Sequence, residues 1–201
     1  MRYRADHRQE TRRRILGAAR RHFLAHGIEG ATIKAILASI GLSHGAFYLH
    51  FASKEALLAE VIGDAMADTR AAWSHGIEDA PGRRYLAQMI GRYLSPAHRD
   101  RAAEGCPIAA LGGDLARQDE AVRGGFEMEL RRTLAALGGK LTDRPAGEPR
   151  GGDEEGQAIA LLASLVGTLM LARGVLDDTL SQAILRAGRR FLAKSLLADL
   201  A

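Results

Sequence analysis

The chain has 201 residues, 47% apolar and 26% charged, the balance of an ordinary globular protein long enough to bury a core. No apolar run reads as long enough to span a membrane, MRYRADH does not open as a signal peptide, and one cysteine, Cys106, allows no intrachain disulfide, so a cytoplasmic location is expected. The net charge is +4, yet residues 1–60 hold ten Lys/Arg against five Asp/Glu, a local +5, while residues 61–201 come to −1. A positive excess confined to one end suits phosphate binding with counterion release, and a solvated basic helix face is its plain alternative.

Residues 1–8 are polar and basic and read as a poorly ordered arm. From 9 to 26 an amphipathic helix is expected, with Ile15, Ala18, Ala19, Phe23 and Leu24 on one stripe and most of its arginines outside it. Gly27 ends that helix, and a short connection leads to Thr32, a suitable N-cap for Ile33, Ile36, Leu37 and Ile40. Gly41 stops this second helix in the manner of a left-handed C-terminal glycine. Ser43 then caps a helix over 44–51, with Phe47 and Phe51 four apart on one face, and Ser53 caps a long helix to about His75. Helix, glycine turn, helix over 32–51 is the helix-turn-helix pattern, whose second helix enters a major groove.

Downstream, DAPGR at 79–83 is a break, 84–94 a helix, and 95–104 a polar connection. Helices are expected at 107–115, opened by Pro107, and at 119–141. Residues 142–156 carry two prolines, four glycines and no large apolar side chain, and read as a flexible surface loop. Helices over 157–176 and 179–200 close the chain. The first of these is apolar nearly all round and must be covered on more than one side. A two-fold interface with a second copy through residues 157–200 covers it economically; complete burial within one protomer is the alternative. No strand and no internal repeat is visible, so the expected fold is all-α with about nine helices: a helix-turn-helix domain over 9–69 and a second helical domain over 70–201.

The residues Ala19, Phe23 and Gly27, then Thr32 and Ile33, the run ASIGLSHGAFYLHF ending at Phe51, and SKEALL from Ser53 to Leu58 resemble the TetR family of transcriptional regulators. The resemblance is dense over about the first sixty residues and architectural beyond them. It implies a homodimeric repressor on a pseudo-palindromic operator, an all-helical ligand domain for an unknown small-molecule effector, and release of DNA when the effector moves the helix beginning near Ser53. No cofactor and no metal are implied. His44 and Leu49 depart from the side chains common in the family at those places, and with them the operator sequence stays open.

Residues at the start of a recognition helix reach base edges and those at its flanks hold the backbone. Ser43, His44, Gly45 and Ala46 are accordingly the base-facing candidates, with glycine allowing close approach and the Ala46 methyl suited to a thymine methyl. Thr32, Tyr48, His50 and Lys54 resemble the family's phosphate ligands. Phe47 and Phe51 are expected in the core, pinning the helix on Phe23 and Ile36.

The expected effector pocket is walled by Trp73, Met89, Tyr93, Cys106, Leu111, Phe126, Leu130 and Met170, with Gln88, His98, Asp114 and Glu127 as polar anchors; ordinary core is the alternative for each apolar member. Cys106, in EGCPI before a helix start, has two readings. One is a packing residue; the other is a redox or electrophile sensor, as some TetR-type regulators have in a similar G-C segment. A constitutive non-specific DNA-binding protein and a helical enzyme are the remaining alternatives, the latter without any nucleophile, phosphate-loop or metal motif.

Overall fold

The computed structural model describes residues 2–142 and 152–197, with side chains described over 7–142 and 154–195. Among these residues there is no strand. The helices are α1 (Arg2–Gly30), α2 (Ile33–Ala38), α3 (His44–Phe47), α4 (Lys54–Ser74), α5 (Gly82–Tyr93), α6 (Pro96–Asp100), α7 (Pro107–Leu115), α8 (Glu120–Leu141), α9 (Gly152–Gly174) and α10 (Asp178–Leu197), with a 3-10 turn at Ala102–Glu104.

Among the described residues that is ten α-helices where about nine were expected. The addition is α6, inside the stretch read as a polar connection: the Ser95 hydroxyl accepts from the His98 amide at 3.1 Å and Pro96 takes the first turn. The arm expected over 1–8 is helical in backbone from Arg2. Of the loop expected over 142–156, residues 152–156 are already in α9, and 143–151 lie outside the described residues.

Two compact units form, and they do not follow chain order. The first combines Met1–Met66 with Ala102–Glu127; the second combines Ala67–Arg101 with Met128–Ala201. The division expected at 69/70 by reading along the chain thus differs from the packing, which returns 102–127 to the N-terminal unit.

In the first unit Ile15, Ala19, Phe23, Ile36, Leu37, Phe47, Leu57 and Leu58 are essentially inaccessible and form one core. Leu111, Leu115 and Val122 join it, and Phe126 packs against it. Gly27, at φ 74°, breaks α1 and lets the chain turn toward α2. Charge holds the break on both sides. The Asp114 carboxylate accepts from the Ile28 amide at 3.0 Å, and the Lys54 ammonium donates to the Ile28 carbonyl at 2.6 Å.

In the second unit α9 and α10 pack so closely that a Cβ on Gly188 would lie 2.5 Å from the Thr168 side chain. Leu161, Leu165, Leu169 and Ala172 of α9 and Leu185 and Leu192 of α10 are buried. One correction concerns the membrane. Among the described residues the segment Glu154–Gly174 is long and apolar enough to cross one, with mean hydropathy 1.5, although no such run was expected. A third of its apolar window is buried.

Between the end of α4 and α8, Arg70 donates to Glu129 at 2.8 Å and to Thr133 at 3.2 Å, and Arg132 also pairs with Glu129. Glu129 is 5% exposed, so removing Arg70 strands most of a buried charge. Arg70→Met is expected to cost about 3 kcal/mol, because Arg132 compensates only in part. Chemical denaturation of the two proteins checks it; equal midpoints would mean that the pair contributes nothing.

Candidate nucleic-acid interface

The turn between α2 and α3 is closed by backbone bonds from Leu42 N–H to the Leu37 carbonyl at 3.0 Å and from Gly41 N–H to the Ala38 carbonyl at 3.2 Å. This nested pair is a Schellman closure, and it needs the φ of 70° that Gly41 adopts. At the other end Thr32 accepts from the Ala35 amide at 3.1 Å, which leaves its hydroxyl hydrogen for another acceptor. Arg14 donates to the Ile40 carbonyl at 2.7 Å and steadies the turn from α1.

The recognition helix is shorter than expected. α3 is one turn, His44–Phe47, and residues 48–50 continue as turn, with the amides of His50 and Phe51 both bonded to the Phe47 carbonyl. Ser43 stands at its N-cap but makes no capping bond from its side chain, contrary to the expected role. The face turned away from the core is made by Ser43, His44, Gly45, Tyr48 and Leu49, all exposed. His44 and Tyr48 lie with ring centroids 5.5 Å apart, and Ala46 is half-buried. Beneath them Phe47 is fully buried, 5.7 Å from Phe51 in a stacked pair.

Gly45 lies on this exposed face. A Cβ there would meet no atom within 4 Å, so packing does not demand glycine. A helical glycine is nevertheless less favourable than alanine by about 0.5–1 kcal/mol.

Two expected phosphate ligands are placed differently from a free side chain. Lys54 is half-buried with its ammonium on the Ile28 carbonyl and 5.9 Å from the Phe23 ring, so it braces the unit. His50 is half-buried beside Arg8 and Arg12 of α1. Burial first, and then those two guanidinium groups, hold its imidazole below the usual histidine range. Arg8 donates to the Leu49 carbonyl at 2.8 Å, and Arg12 pairs with Glu60 at 2.5 Å while lying 4.6 Å from the Phe51 ring centroid. Reading along the sequence did not place Arg8 and Arg12 at the recognition turn, because the contacts that bring them to Leu49 and Phe51 span about forty residues.

The residues expected to wall the effector pocket are divided between the two units. Leu111 and Phe126 belong to the core of the first unit, and Asp114, expected as a polar anchor, is engaged with Ile28 and Arg117. Cys106, 1% exposed, precedes α7 in that same unit, which favours packing over sensing. Trp73, Met89, Tyr93, Leu130 and Met170 fall in the second unit. Trp73 and Tyr93 meet at 5.9 Å and Tyr93 and His98 at 4.7 Å, whereas Met170 is 45% exposed on the outside of α9.

His98 contacts the Tyr93 carbonyl through Nδ1 at 2.7 Å. Burial lowers its pKa, the carbonyl opposes that, and Arg173 adds to the lowering. With His50 shifted the same way, the unfolded chain binds more protons than the folded one below about pH 6.5, so stability must fall as pH drops through that range. The thermal midpoint is expected to decrease from pH 7.5 to 5.5, and less so in His98→Gln. An unchanged pH slope in that variant would acquit His98.

Residues 15–61, which contain this whole unit from the α1 stripe to the start of α4, match the family described as "Bacterial regulatory proteins, tetR family". The match assigns a tetR-type domain to these residues. The HTH-type transcriptional regulator UidR of Escherichia coli (strain K12) is 38% identical over 90 residues, which are 45% of this chain and 44% of UidR. The chain therefore matches under half the length of that relative. The fold likeness runs further. Reduced E. coli NemR has a TM-score of 0.76 at 19% identity, over 92% of this chain and 96% of its own. AibR, solved in complex with isovaleryl coenzyme A and operator DNA, has a TM-score of 0.62 at 16% identity, over 92% and 98%. At those identities the structures speak for the fold, an N-terminal tetR-type domain followed by helices.

Proposed function

We propose that the protein is a sequence-specific DNA-binding transcriptional regulator, a repressor that binds a pseudo-palindromic operator as a homodimer and is released by a small-molecule effector. The observation that carries the reading is the outer face of α3. His44, Gly45 and Tyr48 are exposed on a turn fixed by Phe47 and Phe51, and Gly45 has no internal reason to be glycine. Ser43 and His44 supply hydrogen-bonding groups for base edges, Leu49 an apolar contact for a thymine methyl, and Thr32, Tyr48, His50 and Lys54 groups for phosphate.

The dimer rests on a second observation. α9 exposes Ile159, Met170 and Leu171, and α10 exposes Leu180 and Phe191, the last at 63%. On α10, Leu180, Ile184, Ala187 and Phe191 recur at helical spacing along one edge of the helix. Aggregation is avoided when such a stripe meets its own copy about a two-fold axis, giving a four-helix interface. Two recognition turns so paired read half-sites roughly one helical turn, about 34 Å, or more apart.

Release by an effector rests on the resemblance; the fold neighbour AibR was solved with isovaleryl coenzyme A and operator DNA. An effector must bind the DNA-incompetent arrangement more tightly, or it shifts nothing. The test is a gel shift on the protein's own upstream DNA with excess random competitor. Retention of the complex under competitor supports the reading; equal displacement by random DNA would leave only a non-specific binder.

A further inference from the structure

At the side of the recognition turn, α1 contributes a recess of about 350 Å³ lined by Arg8, Gln9, Arg12 and His50. At about 30 Å³ per water it has room for an anionic group and several ordered waters. Its charge balance is one-sided. Arg12 is neutralised by Glu60, but among the described residues Arg8 donates to the Leu49 carbonyl and pairs with no carboxylate. The Nδ1 atom of His50 is buried without a hydrogen-bond partner. The lining offers donors and positive charge, with a neutral amide between, and no carboxylate.

We propose that this recess seats one phosphodiester of the DNA backbone, which makes the first turns of α1 a part of the DNA interface. The placement follows from how the recess is tied to the reading turn. Arg8 holds the carbonyl of Leu49 and Arg12 lies over Phe51, so the seat keeps a fixed register with the residues directly after α3. A phosphate at the flank of a groove helix positions the helix and carries no sequence information. Arg8 supplies the remaining charge, Gln9 an amide donor, and His50 one imidazole edge. The inference rests on the DNA-binding reading but asks for a residue pattern that reading does not contain, because Arg8 and Gln9 lie outside the helix-turn-helix.

The test uses the full chain and a duplex selected by the wild-type protein from a random library, with affinity measured against potassium chloride concentration. Arg8→Gln is expected to weaken binding to the selected and to a random duplex by a similar factor, about tenfold, and to lower the salt slope by about one. Arg8→Lys, which keeps the charge, is expected to restore the slope. Wild-type binding together with an unchanged slope in Arg8→Gln overturns the seat and leaves the regulator reading intact. A slope loss confined to the selected duplex, with random DNA unaffected, overturns it also, because it would make Arg8 a base reader. Failure of the wild-type protein to bind any duplex overturns the DNA-binding reading itself and the seat with it.

Discussion

Phe191→Asp is expected to leave a folded monomer whose affinity for its operator is about 100-fold lower. Phe191 is 63% exposed in the protomer, so its replacement should move stability by no more than about 0.5 kcal/mol. In a two-fold interface the same substitution occurs on both copies, and each would bury a carboxylate without a partner. Loss of the second recognition turn then removes the avidity of a paired reader, worth about 10²–10⁴ in affinity. Sedimentation and operator titration of one preparation measure both effects. A monomer that binds as tightly as the wild type would show that the α9–α10 face is not what pairs the reading heads.

Phe47→Ala should act in the opposite way, through the fold alone. The ring is fully buried, stacked 5.7 Å from Phe51 and edge-on to Tyr48 at 5.2 Å. Truncating a buried phenylalanine costs about 3–5 kcal/mol, a large part of a domain's total stability of about 5–15 kcal/mol. Tyr48, 58% exposed on the same turn, supplies the contrast: Tyr48→Ala should melt within a few degrees of the wild type and still lose affinity for DNA. Thermal denaturation followed by helix signal separates the two. If Phe47→Ala melts like Tyr48→Ala, the turn is not pinned by its aromatic underside.

What could be read along the chain was whatever local chemistry decides. Gly27 and Gly41 both adopt positive φ where the pattern placed helix ends, and Thr32 and Ser53 make their capping bonds. The stripe Ile15, Ala18, Ala19, Phe23 and Leu24 is buried to the last residue. What escaped was non-local. Asp114 reaches the Ile28 amide across 86 residues, and no periodicity in 107–115 announces it. Leu111 and Phe126 carry no mark distinguishing a pocket wall from the core of the N-terminal unit, because an apolar helical position only asks to be covered. The end of α3 was overextended because 44–51 keeps helical spacing for Phe47 and Phe51 even where the backbone relaxes into a turn. Of the proposed interface, Ser43, His44, Gly45 and Tyr48 came from the motif, whereas the contact of Arg8 with Leu49 and that of Lys54 with the Ile28 carbonyl required the fold.

The central claim is that an exposed recognition turn, presented twice, reads a specific duplex. Footprinting of the purified protein on its own upstream DNA tests it most directly. The account predicts two protected half-sites related by a two-fold axis, their centres about one helical turn or more apart, with protection lost in Gly45→Leu and retained under excess random DNA. Uniform protection along the fragment, or none at any protein concentration that keeps the chain folded, would contradict it.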